Sequence, residues 1–158
     1  MTTPDNLRAY ELEIAVAPDR LDFAGGDPVT GLLAVRFGPI WFPERNWSDF
    51  PVVVLGWWAG ECATLAEGGN GAFRFMDGPF QFNARNLKDG RAELQSQERR
   101  RDGTQTGHGP IAIERLTFAV VRAAEGILGA CERREWLSRD VEELRSALKR
   151  VRTIESGR

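Results

Sequence analysis

Histidine occurs once in this chain of 158 residues, tyrosine once, cysteine twice, and lysine only at positions 88 and 149. Each scarcity removes a chemistry. Cys62 and Cys131 are too few and too far apart for a disulfide framework or a thiolate zinc centre. Both fall in apolar patterns, so they read as reduced thiols packed as small hydrophobes. A metal would have to rely on carboxylates, and these are dispersed; adjacent Glu142 and Glu143 would diverge by about 100° on a helix. The Gly25-Gly26 and Gly68-Gly69 pairs lack the partners of a phosphate-binding loop, so no cofactor is expected. No apolar run approaches the roughly 18 residues of a membrane span. A basic stretch followed by an apolar one is missing after Met1, so a cytoplasmic protein without a membrane partner is expected.

Charge is also low in sum, −2, but uneven. Residues 1–90 carry 7 basic and 12 acidic side chains, or −5, and residues 91–158 carry 14 and 11, or +3. Near neutrality argues against generic nucleic-acid binding. The dominance of arginine over lysine is what a GC-rich genome would produce, without selection for guanidinium chemistry.

The remaining pattern is that of a single α+β domain over 1–158, with 1–9 and 153–158 as frayed ends. Leu12, Ile14 and Val16 alternate with polar neighbours, and Leu32, Leu33, Val35 and Phe37 make a second extended run. Gly38-Pro39-Ile40-Trp41-Phe42-Pro43 reads as an aromatic connection. Ser48 or Asp49 is placed to cap a helix that has Pro51 in its first turn. Leu55, Trp58, Cys62 and Leu65 recur at helical spacing, which favours a helix over 52–66 against the strand propensity of Val52-Val53-Val54-Leu55. Asp77-Gly78 and Lys88-Asp89-Gly90 mark the turns of a three-stranded antiparallel meander over 72–99. Arg99–Pro110 reads as a polar, glycine-rich loop. Ile113, Leu116, Val120, Ala124, Ile127 and Cys131 define a long amphipathic helix. Val141, Leu144, Leu148 and Val151 define a last one, capped by Ser138. Strands first and helices after is an α+β order. The expected architecture is an antiparallel sheet of about five strands against a central helix and two C-terminal helices.

Chemistry-bearing candidates are few. His108, between two glycines, could act as a general base, but such a base needs an orienting partner and a pocket. An exposed loop histidine is the plainer reading, and catalysis is the less favoured class. Arg99-Arg100-Arg101 could meet an anion, although runs of charge usually mark a solvated segment. Trp41, Trp47 and Trp57 remain. Trp57 and Trp58 are neighbours, so one helical stripe cannot bury both equally. Tryptophan and arginine are enriched at binding hot spots. The candidate partner-binding residues are therefore Trp41, Trp47, Trp57, Arg99, Arg100, Arg101 and His108.

Trp47-Ser48-Asp49, the Trp58-bearing helix, Phe73-Arg74-Phe75-Met76-Asp77-Gly78-Pro79-Phe80 and the late helices together resemble the small immunity-type proteins of bacterial polymorphic toxin systems. These include proteins paired with wall-associated and Rhs-like toxins. The resemblance covers roughly residues 30–150. It implies a non-enzymatic protein that binds and blocks a cognate toxin, with no family-wide contact residues to carry over. The near-neutral charge departs from the strongly acidic face expected against a basic nuclease. The partner expected is thus a toxin-like protein, with self-association into a homodimer also open. The alternative is a small-molecule-binding or enzymatic domain with His108, Arg99 and Asp102 around a loop-lined pocket.

Overall fold

A computed structural model describes residues 11–100 and 103–157. The α+β class holds, but the strands form two four-stranded antiparallel sheets rather than one of about five. In the first, β1 (Leu12–Val16) pairs with one side of β2 (Gly31–Phe37). The short strands β3 (Ile40–Phe42) and β4 (Ser48–Asp49) share its other side. The aromatic connection expected at 38–43 is therefore partly strand. Gly38 at φ +59° turns the chain back tightly enough for Trp41 to pair with Arg36.

The second sheet is a meander of β5 (Gly71–Arg74), β6 (Phe80–Asn86), β7 (Arg91–Glu98) and β8 (Gln105–Ala112). Its first three strands and both turns lie where periodicity puts them. The fourth corrects the loop expected over Arg99–Pro110. Gly107, Gly109 and Pro110 conceal the period-two pattern there, yet Gln105–Ala112 pairs along most of β7.

Between the sheets in sequence lies α1 (Pro51–Ala66), the helix favoured by the periodicity. Leu55, Trp58, Ala59 and Cys62 are fully buried. Apolar residues cover most of its circumference, which is the signature of a helix enclosed by other elements. It packs most extensively against α3 (Arg139–Ser156), then α2 (Ile113–Arg133), then β5. Only Val53, Gly56, Trp57, Gly60, Glu61, Thr64 and Ala66 are not buried. The expected cap is corrected: Phe50 occupies that position, without a side-chain bond to the first turn. Ser138 does cap α3, accepting from the Val141 amide at 3.2 Å. Thr153–Ser156, expected to fray, continue α3, while 1–9 and Arg158 lie outside the described residues.

An aromatic seam joins the sheets. Trp58 contacts Phe73, Phe75 and Phe82 edge-on, at 5.1–6.1 Å between centroids. Phe37 of β2 reaches Phe82 at 5.4 Å, and Phe42 of β3 reaches Phe75 and Phe80 at 5.8 Å. Edge-to-face pairs of this kind add about 1 kcal/mol each beyond the area they bury.

Candidate functional site

The lone histidine has structural partners. A β-bulge between Leu94 and Gln95 pairs Leu94 with Gly109 and Gln95 with Gly107, leaving His108 as the extra residue. Bulges re-aim side chains, and this one turns the imidazole to the inner side of the sheet. There it stacks on Phe37 at 3.9 Å, nearly parallel, and its Nε2 lies 2.7 Å from Ser96 Oγ. Burial pushes its pKa below the ordinary value of 6.5. A hydroxyl against an imidazole is also the geometry of an activated nucleophile. Ser96, however, is only 5% exposed, and Phe37 covers one face of the ring, so the pair is set into the packing between the two sheets. The exposed-loop setting expected for His108 is thereby corrected.

The other sequence candidates scatter. Trp47 packs on Phe80 at 5.2 Å and donates its indole N–H to Asp49 at 2.9 Å. Trp41 lies beneath two guanidinium groups, Arg36 and Arg45, each 6.0 Å from the ring. Arg99 and Arg100 are exposed at the end of β7, where Arg100 pairs with Glu98 at 2.7 Å. Arg101 and Asp102 lie outside the described residues. Cys62 and Cys131 are buried and unpaired with each other, and burial pushes the Cys62 thiol up to about 12. Among the described residues no three His, Cys, Asp or Glu side chains converge as a metal site.

Trp57 is different. It is 46% exposed, whereas adjacent Trp58 is fully buried, as the helical geometry requires. One turn further along α1, Glu61 accepts from the Ala72 amide at 2.8 Å. Trp58 supplies the companion contact, its indole N–H donating to the Arg74 carbonyl at 2.8 Å. Together these two side chains occupy polar groups on the open edge of β5, which would otherwise template a further strand.

Beyond Glu61 lies a trough of about 620 Å³ on the outer side of the second sheet. Asn70, Asn83, Arg85, Glu93 and Gln95 line it with Glu61, and Gly107 reaches it from β8. Register explains the assembly. Ala72, Asn83, Gln95 and Gly107 stand side by side across the four strands, and Arg74, Gln81, Gln97 and Gln105 form the next row. Their carboxamides are linked. Gln81 donates to Asn83 at 2.7 Å, Asn83 to Gln97 at 3.0 Å, and Gln95 to Gln105 at 3.4 Å. A carboxamide has two donor hydrogens and an acceptor oxygen, so this lattice retains hydrogen-bonding capacity toward an incoming group. The trough was missed in the sequence because its residues come from four strands and a helix. Only the alternation of Asn83, Gln95 and Gln97 with apolar positions marked them as outward-facing.

No family model, no curated protein and no solved structure matches this chain.

Proposed function

We propose that this chain is a non-catalytic, immunity-like protein that binds a toxin-like protein partner. Its binding face joins the exposed stripe of α1 to the outer side of the second sheet. The observation that carries the reading is Trp57, nearly half exposed on a helix that otherwise buries its large apolar side chains. It stands one turn from Glu61 and the trough. A tryptophan beside a polar, water-accessible surface has the anatomy of a binding hot spot and its rim. The engagement of His108 by Ser96 and Phe37 supports a structural role for the one imidazole. Among the described residues no helix is long and apolar enough to cross a membrane. The cytoplasm is the compartment this reading expects.

The test is co-expression of the full chain with the products of the genes that flank its own. Protection of growth and a co-purifying complex are the expected results. Trp57→Ala should weaken that complex by about 30-fold, roughly 2 kcal/mol for a hot-spot tryptophan, with an unchanged melting temperature. The absence of both protection and a complex would sink the proposal.

A further inference from the structure

We infer that the trough on the second sheet receives an extended peptide segment of the partner that carries a lysine or arginine side chain. This rests on the protein-binding reading above and names what the partner presents to this face.

Gly107 is the first observation. It sits within a strand, where glycine weakens pairing and often marks close approach by another group. Its backbone does not require glycine: its φ is not among the positive values, and a Cβ built there meets nothing within 4 Å. What the missing side chain leaves is open space in the trough wall.

The second observation is spacing. Glu93, Gln95 and Gln97 alternate along β7, and Arg85, Asn83 and Gln81 stand opposite them on β6. Side chains two residues apart on a strand are separated by about 6.7 Å, the same repeat as alternate residues of an extended peptide. A peptide aligned with β7 therefore meets a side chain of the sheet at each of its own repeats. The chemistry matches as well, since a carboxamide offers the same N–H and C=O pair as the peptide group it would meet.

Charge is the third. Two carboxylates, Glu61 and Glu93, face the trough against one guanidinium, Arg85. Among the described residues, ion pairs within 4 Å involve none of the three. The neighbouring Arg91 is held by Asp89 at 2.7 Å. A basic side chain at the Glu93 end would find a carboxylate there, and Arg85 can donate to a peptide carbonyl. An aliphatic side chain would find no charge partner, and an acidic one would meet Arg85 but also two carboxylates, Glu61 and Glu93, so the balance of charge favours a basic side chain.

The experiment pans a random dodecapeptide phage library on the immobilised full chain, then measures enriched peptides by calorimetry. Gly107→Leu fills the trough without backbone strain, and Glu93→Gln removes a charge while keeping the shape. Enriched peptides should carry a basic residue and bind both variants at least about tenfold more weakly than the unaltered chain. Gly107→Leu should melt no lower than the unaltered chain. The inference is overturned if no peptide enriches, if enriched peptides lack a basic residue, or if Gly107→Leu binds them equally well. A partner complex that needs Trp57 but tolerates Gly107→Leu would remove the peptide inference and leave the protein-binding reading standing.

Discussion

Asp49 shows how one side chain can hold a fold together while looking like something else. In sequence it reads as a helix cap. In the structure its carboxylate is almost fully buried and accepts from four donors: Trp47 Nε1, the Phe50 amide, and the Met76 and Asp77 amides, at 2.8–3.1 Å. The last two belong to the β5–β6 turn, so Asp49 ties the first sheet to the second. Gly78 completes that turn at φ +75°, a conformation that side-chain-bearing residues rarely adopt. Removing a buried charged acceptor leaves its donors unsatisfied. Asp49→Ala should therefore cost about 3 kcal/mol, read as a lower urea midpoint. Asp49→Asn, which retains one acceptor oxygen, should cost less. An alanine variant as stable as the parent would show that water replaces the carboxylate without loss.

Among the elements, α1 was legible and β8 was not, for physical reasons. Leu55, Trp58, Cys62 and Leu65 repeat at helical spacing, and tertiary burial then overrides the strand propensity of the valines. In β8 the signal is erased by two glycines, a proline and a bulge that puts His108 on the inner side. The same erasure hid the trough, whose Gly107 carries no side chain to be read. Trp57 was recognisable because its neighbour Trp58 occupies the buried stripe. Alternation marked Asn83 and Gln95 as outward-facing, but not as neighbours, because register between strands decides which residues stand together. Two glycines of α1, Gly56 and Gly60, depart from helical preference, and only Gly56 faces a close neighbour, the Leu144 backbone. Gly60 is only partly buried, and a Cβ there would meet nothing within 4 Å. Gly60→Ala should thus stabilise the fold by about 1 kcal/mol, measured by chemical denaturation. A destabilised variant would mean that the glycine serves a close contact absent from the isolated chain.

At the scale of the whole molecule, His108 links the two sheets, and its burial should make their union depend on pH. Burial lowers its pKa in the folded state below the ordinary 6.5, so the unfolded chain binds more protons just below that pH. Stability is then fully present above about 6.5 and declines as acidity increases. The groups against the ring are the uncharged Ser96 hydroxyl and Phe37. The urea midpoint should fall between about pH 7 and pH 5. His108→Gln, which keeps a hydrogen-bonding group but cannot gain the charge, should flatten part of that fall. An identical pH profile in the variant would assign the acid sensitivity to other groups.

The central helix also sets an order on the chain's emergence during synthesis. Each sheet is drawn from one continuous stretch, Leu12–Asp49 and Gly71–Ala112, and can begin pairing as it leaves the ribosome. The most extensive cover of α1 comes from α3 and α2, which are made after both sheets. Until α2 has been made, the nascent chain carries an apolar helix with two of its sides open to solvent, and one side stays open until α3 follows. Such surfaces invite aggregation and chaperone capture. The interval between completing α1 and completing α3 is therefore when this protein depends most on its cellular surroundings.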